Sequence, residues 1–112
     1  MSTENKKADV HDLRSALELL KTVPGQFIET NEPVDPFAEI SGVYRHVGAG
    51  GTVARPTRKG PAMVFNNVKG HPGARVAIGV LASRERVALM LNSKPEQLGF
   101  LLKDSVNNPI AP

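Results

Sequence analysis

The residues of this 112-residue chain best suited to binding chemistry lie in "RHVGAGGTVARPTRKGPAMVFNNVKG", positions 45–70. A cluster of glycines there precedes Arg55, Arg58 and Lys59, with Arg45 and Lys69 near the two ends and no acid in the run. Backbone N–H groups freed by glycines, beside cations, are the ingredients of an anion site for a phosphate or a carboxylate. The spacing narrows that reading. "GAGGTV" begins G-x-G-x-x but has Val53 where a dinucleotide fingerprint has its third glycine, and it follows a predicted helix instead of a strand. No G-x-x-x-x-G-K-[ST] occurs, which excludes a P-loop. Glycines placed after a helix usually end it and release the chain. The stretch therefore reads as a basic connecting loop that meets an anionic neighbour, with Arg45, Arg55, Arg58 and Lys59 as the candidate contacts.

Other reactive residue types do not assemble. His11, His46 and His71 fall at a helix start, a helix end and a turn, without a metal-binding spacing such as H-x₃-H, and read as surface histidines. Asp9 and Asp12 could pair as carboxylates, but acids at a helix start serve the cap and the dipole. Ser15, Ser41, Ser83 and Ser93 lack a nucleophile-elbow context, and the last two read as helix caps. Asn66 and Asn67 stand at a strand end, where starting a turn is the common use and binding a ligand the rarer one. No acid, base and nucleophile come together, so no catalytic, cofactor-binding or metal-ligating residue is assigned. On the residues alone the chain is a binding or structural domain.

Composition bounds the rest. With 40% hydrophobic and 22% charged residues the chain has the balance of one ordinary globular domain with a modest core. No cysteine is present, so disulfides and thiolate metal sites are excluded. No signal peptide is visible at the start, and no run approaches the ~20 apolar residues of a membrane span. The net charge of +3 conceals an asymmetry. Between Glu39 and Glu85 there are seven cations and no acid, so the middle of the chain is either a solvated basic face or a basic surface turned to a nucleic acid, a phosphate or an acidic neighbouring domain or subunit.

The elements that must position these residues follow from spacing and caps. Leu13, Ala16, Leu17 and Leu20 predict a first helix, with Asp12 as N-cap and Pro24-Gly25 as the stop. "QFIET" (26–30) predicts a short strand. Asp35 as N-cap and Pro36 at the first helical position predict a second helix with Ile40, Val43, Tyr44 and Val47 inside and Gly48 beyond its end. "AMVFNNV" (62–68) and "RVAIGVL" (75–81) predict two strands joined by the turn "KGHPG". Ser83 caps a third helix with Val87, Met90 and Leu91 inward, and Ser93-x-x-Glu96 reads as a capping box for a fourth with Leu98, Leu101 and Leu102 on one side. The expected fold is α+β, a small mixed or antiparallel sheet of about three strands packed with about four helices. Residues 1–10 are expected to be a flexible N-terminus, 11–107 the folded domain and 108–112 an extended linker.

The order of motifs resembles the N-terminal region of the UbiD-like decarboxylases. The pieces are D-L-R at 12–14, V-D-P at 34–36, Gly60-Pro61 through F-x-N-V-K-G at 65–70, and S-R-E-R-V at 83–87. The segment "YRHVGAGGTVARPTRKGPAM" is most similar to the branch acting on hydroxylated benzoates such as 3,4-dihydroxybenzoate. The resemblance implies a cytoplasmic, non-oxidative and in some members reversible decarboxylase of small aromatic acids. It implies prenylated FMN with a divalent metal, commonly Mn²⁺, and K⁺. Its cofactor domain, a split β-barrel following this region, would hold the catalytic arginine, the two glutamates and the metal ligands; none has a position in this sequence. The expected partners are thus the barrel and C-terminal domains of the same enzyme, or partner subunits, in a homo-oligomer. Two readings from other classes stand beside it: a free-standing basic module for nucleic acid or a phosphorylated ligand, and a small accessory subunit. An aromatic content of 4% and the lack of a recognition-helix pattern count against nucleic acid.

Overall fold

A computed structural model describes residues 9–47 and 60–112. The elements run α1 (Leu13–Lys21), β1 (Phe27–Thr30), α2 (Glu39–Val47), β2 (Ala62–Phe65), β3 (Val76–Ile78) and α3 (Arg84–Met90). A 3₁₀ turn (Pro95–Gln97) then leads into α4 (Leu98–Asn107). Four helices and a three-stranded sheet bear out the α+β expectation, and the sheet is mixed: β1 pairs parallel with β2, and β2 antiparallel with β3.

β2 lies in the centre, and all four of its residues are buried. A central strand covered on both faces has no reason to alternate polar and apolar residues, which is why "AMVF" is a continuous apolar run. Met63 and Phe65 point to one face, where Val34, Val68, Ile40, Val43, Tyr44, Val76 and Ile78 complete a hydrophobic cluster. Ala62 and Val64 point to the other face, toward α1, whose Ala16, Leu17 and Leu20 are buried.

α1 forms where its cap and spacing predict. Extended at φ −155°, Asp12 accepts the Ser15 N–H at 2.8 Å, while the Ser15 hydroxyl oxygen accepts the Asp12 N–H at 3.1 Å. Two orphan donors are thereby satisfied reciprocally. The Ser15 backbone N–H, then its side chain, holds the Asp12 carboxyl below its ordinary pKa. Leu13, expected on the inner stripe, is 54% exposed because α1 covers the sheet only from its second turn onward.

Several local expectations give way to competing turn chemistry. Asp35 does not cap α2. Its Oδ1 accepts the Phe37 N–H at 2.8 Å, closing a tight turn, and its own N–H donates to Glu39 Oε1 at 2.7 Å. Ala38 then takes a left-handed φ of +73°, so the helix starts at Glu39 and Pro36 stays outside it. Val47 is exposed, while Ile40, Val43 and Tyr44 reach the cluster as expected; Gly48 lies outside the described residues. β3 is shorter than "RVAIGVL" because Gly79, at φ +78°, turns the chain out of the sheet. The strand from Ala62 likewise ends at Phe65, and Val68 makes only isolated bridges to Val34 and His71.

Ser83 caps α3, accepting the Arg86 N–H at 3.4 Å. Ser93 caps nothing. Asn92 is left-handed at φ +55° and donates to the Leu89 carbonyl, while the Ser93 N–H donates to the Ala88 carbonyl at 2.9 Å. That pair of bonds is a Schellman closure of α3, so Ser93 belongs to the helix before it. The next turn starts after Lys94 with Pro95 at its first position and no side-chain cap. Of the residues expected inside, Leu91 and Leu102 are exposed, Leu101 is half-buried and Leu98 is buried.

Candidate functional site

Two polar clusters, each organised by an arginine, occupy opposite ends of the strands. At the carboxyl ends of β1 and β2, period-two alternation places Glu29, Asn66 and Arg75 in one row on the face that carries Val64. Asn66 Nδ2 donates to Glu29 Oε2 at 2.9 Å and to Asn31 Oδ1 at 3.0 Å, and its Oδ1 accepts from Arg75 Nε at 2.8 Å. Arg75 Nη2 stands 3.5 Å from Glu29 Oε2. Asn67 reaches the Asn31 carbonyl at 3.3 Å. Both asparagines of the "NN" pair thus tie the chain leaving β2 to the chain leaving β1. Beside the row, an open cleft of about 460 Å³ separates the start of α1 from the sheet, with Leu17, Val64 and Ala77 as floor and Arg14 and Arg75 among its walls.

At the amino ends of β1 and β2 the cluster is buried. Arg86, only 1% exposed, donates from Nε and Nη2 to the Gly79 carbonyl at 3.1 and 2.8 Å. Its Nη1 donates to Gln26 Oε1 at 2.7 Å and to the Gly60 carbonyl at 2.8 Å. One side chain on α3 therefore ties the residue before β1, the segment entering β2 and the residue after β3. Among the described residues no carboxylate lies within 4 Å of it. Burial lowers its pKa, with Tyr44 and Glu85 acting the other way, and a guanidinium remains charged regardless. Gly79 is required twice over. Its φ of +78° is left-handed, and a Cβ there would collide with the Tyr44 ring.

The basic segment is divided between described and undescribed residues. Arg45 is half-buried in the last turn of α2, whereas Arg55, Arg58 and Lys59 lie outside the described residues. Lys69, Arg75 and Arg84, the other described members of the acid-free run, are exposed. His11 stands 3.8 Å from Asp9 and from Asp12 at the surface, and His71 sits in the β2–β3 turn. Sequence reasoning missed Arg86. Its signal was present, since Arg86 and Met90 are four apart and share a helix face, but a charged residue is ordinarily assigned to the solvent side.

Among the described residues, no group of three or more His, Cys, Asp or Glu could hold a metal ion. No helix among them is long and apolar enough to cross a membrane. The Arg86 cluster ties backbone segments through one side chain, and the exposed row links side chains across the strand ends; they can align strands and present an arginine-lined cleft.

A profile of the 3-octaprenyl-4-hydroxybenzoate carboxy-lyase N-terminal domain family (UbiD_N) matches residues 18–105. Gallate decarboxylase of Lactiplantibacillus plantarum is 54% identical over 90% of this chain. The apo 3,4-dihydroxybenzoic acid decarboxylase of Enterobacter cloacae is 59% identical over 92% of the chain, with a TM-score of 0.82. That of Klebsiella pneumoniae is 53% identical over 92%, with a TM-score of 0.83. The chain spans about a fifth of the length of each, 21%. Its motifs, mixed sheet and helix order are thus those of the UbiD N-terminal domain, and the chain belongs to that family.

Proposed function

We propose that this chain is the N-terminal domain of a larger, cytoplasmic, non-oxidative decarboxylase of hydroxylated aromatic acids, of the 3,4-dihydroxybenzoate or gallate kind. The observation that carries the proposal is the identity of 53% to 59% with two 3,4-dihydroxybenzoic acid decarboxylases over nearly the whole chain. Residues 11–107 form the domain and 108–112 lead on to the remainder of the enzyme. The role of this piece is structural. It presents one folded face to the catalytic part, with the basic stretch of Arg45, Arg55, Arg58 and Lys59 against acidic or phosphate groups there.

The cofactors of the proposed enzyme are prenylated FMN, a divalent metal such as Mn²⁺, and K⁺. The described residues do not fit the metal, since they bring no three ligating side chains together. No step of the reaction is assigned to them.

The experiment compares the 112-residue chain with the complete polypeptide that carries it. Each is supplied with prenylated FMN, Mn²⁺ and K⁺ and offered 3,4-dihydroxybenzoate, gallate and related acids while CO₂ release and flavin absorbance are followed. Turnover is expected from the complete polypeptide alone. Turnover or stoichiometric flavin binding by the 112-residue chain would move the chemistry into this domain. A complete polypeptide inert toward every acid offered would remove the substrate class.

A further inference from the structure

Helix α4 carries too much apolar surface for the domain it is attached to. Of its ten residues, Leu98, Phe100, Leu101, Leu102 and Val106 are large and apolar. Only Leu98 is buried and Leu101 half-buried; Phe100 is 71% exposed, Leu102 56% and Val106 79%. At about 100° per residue, Leu102 and Val106 continue the face begun by Leu98, and Phe100 projects on the opposite side of Leu101. The four aliphatic residues span an arc of about 140°, of which the domain covers only the Leu98 and Leu101 part, and Phe100 stands apart between Asn107 and Asp104, so apolar surface remains to be covered on both flanks. α4 is packed chiefly on the 3₁₀ turn that precedes it. A helix of this length, isolated in water, is marginal, so most of its stability must come from packing.

We infer that α4 is a docking helix whose Phe100, Leu102 and Val106 are covered by the catalytic part of the same decarboxylase polypeptide. The inference rests on the proposed function. Two arguments choose this occupant. The relatives of this domain are about five times as long as the part matched, 21% of each, and the matching family is an N-terminal domain. The polypeptide of such an enzyme therefore continues beyond α4, and the helix stands at the junction. The second argument is area. With Ile110, 96% exposed, α4 and the residues after it show four exposed large side chains, Leu102 and Val106 on one flank of the helix and Phe100 on the other. Together those offer roughly 400 Å², the size of a functional patch on a monomer but about half of what each partner of a free-standing dimer buries. A tethered partner needs less area than a free one, because the linker supplies its effective concentration. The helix carries one lysine and one acid, Lys103 and Asp104, so the partner face is selected by apolar contact and not by charge.

The test uses the complete polypeptide and amide hydrogen exchange read peptide by peptide. In the wild type, α4 is expected to exchange at least a hundredfold more slowly than the exposed β2–β3 turn, independent of protein concentration. Phe100→Glu with Val106→Glu is expected to speed exchange in α4 at least tenfold and open residues 108–112 to protease, while β2 stays protected. Should β2 lose protection as well, the milder Leu102→Ser with Val106→Thr is measured in its place, with the same expectation. Fast exchange of α4 in the wild type, or no response of α4 to a pair that leaves β2 protected, overturns the inference. Protection that fades on dilution assigns the face to a second copy and overturns it also. The functional reading fails separately. An enzyme inert toward hydroxybenzoates with α4 protected keeps the docking and loses the substrate, and an active enzyme with α4 open does the reverse.

Discussion

Arg86 and Arg75 both hold strand ends together, and the sheet treats them in opposite ways. Arg86 is 1% exposed and directs its donors at two backbone carbonyls and one amide oxygen. Arg75 has a half-exposed side chain and shares its charge with Glu29 through an asparagine hub. Water can replace what Arg75 does, since every group in that row has access to solvent. It replaces Arg86 less readily, because the guanidinium and its partner Gln26 are buried, although the half-buried Gly79 carbonyl keeps the Ala82 N–H as a second donor. The same residue type is therefore a structural bond at one end of the strands and an adjustable surface group at the other.

The largest effect that sharpens this contrast is expected at Arg86. Arg86→Met keeps much of the volume, but it leaves Gln26 Oε1 and the Gly60 carbonyl without their donor while Gly79 keeps the Ala82 N–H, and should cost about 2–4 kcal/mol, at roughly 1–3 kcal/mol per acceptor with partial relaxation. Against the ~5–15 kcal/mol that holds an ordinary domain, this is enough to unfold much of the population near body temperature. Urea titration of the chain, followed by circular dichroism, measures it. A loss under 1 kcal/mol would put the two arginines in the same class. Gly79→Ala is expected next, at about 2–4 kcal/mol, because left-handed φ costs roughly 1–2 kcal/mol and the Cβ must displace the Tyr44 ring. In a Tyr44→Ala background the same substitution should cost only the backbone part, about 1–2 kcal/mol. Equal costs in both backgrounds would mean that Tyr44 does not lock the loop below Arg86.

What was legible in the sequence divides along the same line. α1 was legible because Asp12 and the 3–4 spacing of Ala16, Leu17 and Leu20 act locally and agree with each other. The central strand was legible because "AMVF" has no polar position to hide. The start of α2 was not, since the Asp-Pro pair that begins a helix also closes a tight turn, and Ala38 settles the matter with a left-handed φ no pattern announces. The box at 93–96 failed for a similar reason: Asn92 and Ser93 are taken by the closure of α3. Arg86 was hidden by its charge. Its partners Gln26 and Gly60 lie 60 and 26 residues away in sequence, so only the folded sheet could identify it as an interior residue. The site proposed for Arg55, Arg58 and Lys59 came from composition and falls outside the described residues.

The smallest effect is expected in the exposed row, and it is the most exacting check on the contrast. Glu29 and Arg75 are 35% and 50% exposed at the side chain, with charged atoms 3.5 Å apart. Solvent screening at that exposure limits their coupling to about 0.2–1 kcal/mol. A double-mutant cycle of Glu29→Gln and Arg75→Met, read by urea titration, isolates that coupling from the rest of the network. In 1 M salt, where screening acts within about 3 Å, the coupling should fall toward zero. Asn66→Ala should cost more than either single charge change, near 1 kcal/mol, because it removes the hub that holds both partners in place. A coupling above 1 kcal/mol that survives high salt would show a row as rigid and as shielded as the Arg86 cluster. The carboxyl ends of the strands would then be a built site, and the arginine-walled cleft beside them the place to look for its ligand.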